Sequence, residues 1–124
     1  MAGSLMTTEY VFVHESASVE GAIEALRNFE GALETIHDVF LVDKQGILTG
    51  TVPLARIVLA AASTPLPELA GEPLIYVQAD DGVRSVVDLF HKYNLMSLPV
   101  VDEDRRLVGT VTADDVLERV INRK

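Results

Sequence analysis

Pro99-Val100-Val101-Asp102 and Leu107-Val108-Gly109-Thr110-Val111-Thr112-Ala113-Asp114-Asp115 read as two short strands around a polar turn, the second running straight into a helix. The strands are apolar runs, the turn Asp102 to Arg106 is charged, and such runs bounded by turn residues are the mark of strand, turn, strand. The same order occurs once before, as Phe40-Leu41-Val42, Asp43-Lys44-Gln45-Gly46 and Ile47 to Val52. Val42-Asp43 falls on Val101-Asp102 and Gly50-Thr51-Val52 on Gly109-Thr110-Val111 at a constant offset of 59 residues.

Working outward toward the N-terminus, Leu5, Val11, Val13, Val19 and Ile23 fall on Leu69, Ile75, Val77, Val83 and Val87, now at an offset of 64. The first copy therefore carries five extra residues between Leu26 and Val39, around Gly31, where a lengthened helix end or loop absorbs them. Val19, Ala22, Ile23 and Leu26 follow the spacing of one helix face, with Ser18 as the expected N-cap and Glu20 in the first turn. Each copy thus reads as strand, helix, strand, strand, helix, an α/β unit whose continuous apolar strands predict cover on both faces. The boundaries expected are 1–62 for the first copy, a stiff linker at 63–68 built on Ser63-Thr64-Pro65-Leu66-Pro67, and 69–124 for the second.

The bulk numbers agree with two half-size units sharing the work of one domain. The chain has 124 residues, 48% hydrophobic and 23% charged, a folded composition. Ten basic against 19 acidic residues give a net charge of −9, which repels phosphate backbones and argues against nucleic-acid binding. Without cysteine there is no disulfide frame, thiolate metal site or cysteine nucleophile, and a reducing cytoplasmic setting is expected. No run approaches the roughly 20 apolar residues of a spanning helix, so direct membrane insertion is not expected.

Gly109-Thr110-Val111-Thr112-x-x-Asp115 at the last strand-to-helix junction, in a twice-repeated strand-helix-strand-strand-helix frame, resembles the CBS repeat, and two in tandem resemble a CBS pair or Bateman module. Leu5-Met6-Thr7-Thr8-Glu9-Tyr10-Val11, Glu34-Thr35-Ile36 before Phe40-Leu41-Val42-Asp43, and Lys92-Tyr93-Asn94-Leu95 before Leu98-Pro99-Val100-Val101-Asp102 resemble the CBS pair of MgtE-type magnesium transporters. That resemblance implies two copies packed through their sheets about a pseudo-two-fold axis and a homodimer formed through helices. It also implies an N-terminal helical domain before the pair, and a connecting helix leading from its end to a membrane pore. Its setting would be the cytoplasmic side of the inner membrane.

The residues that could carry chemistry gather at the start of the last helix. Thr112 and Asp115 have the spacing of a capping box, which needs no ligand. By the resemblance, the same hydroxyl and carboxylate are also the positions that hold ribose in CBS pairs that bind ATP or AMP. The first copy has Pro53 and Arg56 there, which predicts at most one such site per chain. Asp114, Asp115 and Glu118 form an acidic group, with Asp115 and Glu118 at i, i+3, where like charges repel unless neutralised. Mg²⁺ accepts one or two carboxylates and keeps its waters, and the resemblance implies magnesium sensing at Asp115 and Glu118. A solvated helix face with Arg119 pairing Asp115 is the plain alternative. Asn94 replaces the aspartate common in that family. His14, His37 and His91 are scattered, no nucleophile or phosphate-loop signature occurs, and no enzymatic activity is expected.

Overall fold

A computed structural model describes residues 1–121. Residues 122–124, at the end of the stretch expected to lead into a connecting helix, lie outside the described residues. The chain divides into two compact units: residues 10–74 form one, and residues 1–9 together with 75 onward form the other. Sequence copy and compact unit are therefore offset, because the first nine residues pack with the second copy.

In the 10–74 unit, β1 (Val11–His14), α1 (Val19–Arg27), β2 (Asp38–Val42), β3 (Leu48–Pro53) and α2 (Leu54–Leu59) follow in order. The sheet order is β1-β2-β3, parallel between β1 and β2 and antiparallel between β2 and β3. The other unit repeats it with β4 (Val77–Gln78), α3 (Val83–Tyr93), β5 (Ser97–Val101), β6 (Leu107–Thr112) and α4 (Ala113–Ile121), in sheet order β4-β5-β6. Both antiparallel pairs slip register at the same place, between Leu41 and Val42 and between Val100 and Val101. Both turns are built on an aspartate. Asp43 Oδ1 accepts from the amides of Gln45 and Ile47, and Asp102 Oδ1 from those of Asp104 and Arg106. Gly46 at φ 83° and Arg105 at φ 66° supply the left-handed residue at matching positions.

The copies differ where their residues require it. β1 pairs four residues with β2, but β4 pairs only Val77 and Gln78 with β5. Pro99 stands in β5 where β2 has Phe40, and it has no N–H to give a parallel neighbour. The five extra residues leave α1 no longer than α3; they form an irregular stretch with a 3-10 turn at Leu33–Thr35. Ser18 does occupy the N-cap of α1, but its hydroxyl makes no cap bond. The amides of Val19 and Glu20 donate instead to the carbonyls of Thr64 and Ala62, so the chain following α2 closes that helix end.

Each unit has its own core. Val11, Val19, Ala22, Val39, Leu41, Val52, Ile57 and Leu66 pack together in one, and Ala2, Leu5, Val77, Val86, Leu98, Val100, Val111 and Val116 in the other. Leu66 and Ala2 hold equivalent places, both fully buried, at the 3-10 turns Leu66–Leu69 and Ala2–Ser4. The stiff linker thus donates a core residue rather than merely spanning a gap. β2 and β5 are buried on both faces, apart from Asp38 at the start of β2, as continuous apolar runs require.

Candidate functional site

β6 passes into α4 without a loop, which sets Thr112 and Asp115 at the helix start. The amide of Asp115 donates to Thr112 Oγ1 at 3.2 Å, and the amide of Thr112 donates to the Asp115 carboxylate at 3.3 Å. The capping box is formed, and it holds both side chains half-buried. Asp115 has Glu118 one turn on; together with Ser4, Leu5 and Arg119 they line a shallow recess of about 290 Å³. Asp114 is exposed and does not line it. Glu118 is i+3 from Asp115 and i+4 from Asp114, but only Asp115 borders the recess with it. Among the described residues no group of three or more acids or histidines is arranged to hold a metal ion, and Asp115 makes no ion pair with Arg119.

Asn94 terminates α3 in the left-handed conformation, φ 53° and ψ 48°, with its amide returning to Phe90. Asparagine tolerates that conformation, which accounts for its presence independently of any cation. Arg105 lies 5.0 Å over the ring of Tyr76 and Arg106 lies 3.9 Å from Asp104 at the surface, consistent with turn charges. His14 and His91 are exposed and His37 half-buried.

The matching junction in the other unit is chemically inverted. Pro53 caps α2 without a hydroxyl, and Arg56 stands where α4 has Asp115. Its guanidinium donates to the carbonyls of Leu69 at 3.0 Å and Ala70 at 3.5 Å. Sequence reading finds the inversion but not these partners, which lie 13 and 14 residues on. The 10–74 unit also holds a larger cavity of about 860 Å³, walled by Glu15, Thr49, Glu68, Glu72, Pro73 and others. Its walls come from four separate segments, so no local motif announces it.

The CBS-domain family model matches residues 2–63 and again 68–122, nearly all of the chain. The chain belongs to the CBS family. As a CBS pair it is 41% identical over 117 residues to the magnesium transporter MgtE of Thermus thermophilus, covering 94% of this chain and 26% of the transporter. The MgtE of Enterococcus faecalis is 32% identical over the same length, again 26% of that protein. Among solved structures, the cytosolic domain of the Mg²⁺ channel MgtE in complex with ATP superposes with a TM-score of 0.88 at 41% identity, over 94% of this chain and 47% of that one. The soluble part of a magnesium transporter gives 0.89 at 30% identity, over 98% and 47%. The CBS pair spans about a quarter of the length of the transporters it matches. It is a regulatory-type CBS pair related to the MgtE cytosolic region, and among the described residues no helix is long and apolar enough to cross a membrane.

Proposed function

We propose that this CBS pair is the non-catalytic sensor of a magnesium or other divalent-cation transporter, on the cytoplasmic side of the inner membrane. It would answer Mg²⁺ at the end of the second copy. The observation that carries this reading is that Asp115 and Glu118 open into one recess, fixed at its base by the capping box. Two carboxylates one turn apart repel each other, and a hard cation with its water shell relieves that repulsion. Asp114, one step round the helix, would act through charge rather than by lining the recess. In the whole protein, an N-terminal helical domain before the pair and a pore beyond a connecting helix would be the partners. Mg²⁺ would favour the compact arrangement because it binds that state better.

Isothermal titration of the chain with Mg²⁺ tests this reading. Saturable heat that disappears in Asp115→Asn and in Glu118→Gln supports it; heat unchanged in both variants overturns it. The asparagine keeps an acceptor for the Thr112 amide, so loss of charge is separated from loss of the cap.

An adenine-nucleotide role is the second reading, favoured by Thr112 and Asp115 at one helix start. ATP is present in the MgtE relative, and a CBS pair 26% identical was solved with 5′-methylthioadenosine and S-adenosyl-L-methionine. The site would lie in the second copy alone, because Pro53 and Arg56 remove both groups from the first. Titration with ATP and AMP, with and without Mg²⁺, separates the readings: nucleotide heat abolished by Thr112→Val supports it, and silence toward both nucleotides excludes it. Homodimerisation is proposed on the exposed apolar residues of α2 and α4, Val58, Leu59, Leu117, Val120 and Ile121. Sedimentation of Leu59→Glu and Leu117→Glu as monomers, against a dimeric parent, is the expected result.

A further inference from the structure

Each unit is crossed by a strap that, along the chain, leads into the first strand of the other unit. In one unit it is the turn Ala2–Ser4 followed by Leu5, Met6 and Thr7, and Thr7 exchanges two backbone hydrogen bonds with Thr110 of β6, at 2.8 and 3.0 Å. In the other it is the turn Leu66–Leu69 followed by Ala70 and Gly71, and the Gly71 amide donates to the carbonyl of Thr51 in β3 at 3.0 Å. The two straps are the same element by sequence offset, and both lie beside the third residue of the second helix of the unit they cross. The difference is the charge at that position. Asp115 borders an open recess beside Ser4 and Leu5, whereas Arg56 reaches the strap and bonds the carbonyls of Leu69 and Ala70.

α2 spans only six residues, Leu54–Leu59, and Arg56 stands third among them, close to both ends. The carbonyls it reaches are the last ones of a 3-10 turn, which lack partners within that turn. The guanidinium supplies them with donors, and a positive charge sits where strap carbonyls converge.

We propose that Arg56 is a tethered cation that clamps the 66–71 strap of the 10–74 unit against α2 with no external ligand. In the other unit Asp115 stands at that position; Arg119 lines its recess without bonding the strap among the described residues, and the place beside the strap is left to an external cation. That contrast rests on the sensing reading given above; the clamp itself rests on the Arg56 hydrogen bonds.

Backbone hydrogen exchange on the full chain decides it. In Arg56→Ala the Gly71 amide should exchange roughly three- to tenfold faster, the scale of one lost hydrogen bond, while the β2-β3 ladder keeps its protection. In Arg56→Asp, which restores the acid of the other copy, the strap should loosen equally in metal-free buffer and regain protection in millimolar Mg²⁺, a recovery Arg56→Ala does not show. Unchanged Gly71 exchange in Arg56→Ala overturns the clamp, as does a uniform rise through the whole unit. Equal indifference of both variants to Mg²⁺ overturns the tethered-cation role. Failure of the parent chain to bind Mg²⁺ at Asp115 sinks the sensing reading but leaves the Gly71 result standing.

Discussion

Thr112 and Asp115 cap each other: each amide donates to the other's side chain, at 3.3 and 3.2 Å. Any ligand drawn to this pair must compete with, or add to, bonds already made. The capping box therefore preorganises the start of α4, where the proposed site lies.

Because the two bonds form one unit, Thr112→Ala and Asp115→Ala should each destabilise the chain by about 1 kcal/mol. The double variant should lose less than the sum, since either change alone breaks the box. Urea denaturation of the four proteins measures the coupling, and strictly additive losses would mean that the box does not act as a unit.

Gly109 lies beneath the N-terminal strap. A Cβ there would sit 2.6 Å from Met6 Sδ and 3.1 Å from the Thr7 carbonyl, whereas one at Gly50 meets nothing closer than Leu41 Cδ1 at 3.1 Å. Gly109→Ala should cost about 1–3 kcal/mol and lift the strap, since backbone cannot yield as a side-chain tip can. Gly50→Ala should cost less. Comparing their denaturation midpoints checks the order.

Thr51 and Thr110 are equivalent residues with different fates. Thr110 Oγ1 donates to the carbonyl of Leu98 at 3.2 Å, but Thr51 Oγ1 is buried with no partner among the described residues. Thr51→Val should be neutral or stabilising and Thr110→Val destabilising by about 1 kcal/mol. Thermal melts of both variants give the sign directly.

Tyr10 packs against Phe12 and Phe40, with ring centroids 5.8 and 6.1 Å away, and burial pushes its phenol above the ordinary value of 10.0. The unfolded chain then releases this proton first. Stability from this group is complete below pH 10 and falls as pH rises toward the folded value. Tyr10→Phe should flatten that alkaline loss, as read from denaturation midpoints against pH.

Much of this was legible in the residues. The offsets of 64 and 59 placed both sets of elements, and the Thr112 to Asp115 spacing announced the cap. Less legible was anything whose partner lies far along the chain. Ser18 has the right residue type for a cap, yet carbonyls of residues 62 and 64 serve its helix. Arg56 looks misplaced until Leu69 and Ala70 arrive beside it. Asn94 illustrates a third case, in which one residue suits both a lost ligand and a left-handed turn, and only the backbone angle shows which geometry it adopts.

The offset between copy and unit bears on how the chain is made. Residues 10–74 are contiguous, so a ribosome delivers that unit whole before residues 75 onward exist. The other unit needs both ends: Ala2 and Leu5 emerge first and wait for Val77, Leu98 and Val111 to reach them. Closing that gap carries the entropy of a long loop, which shrinks once the intervening segment has already folded. One CBS fold is thereby nested inside the other in time as well as along the chain, and the inner one is completed first.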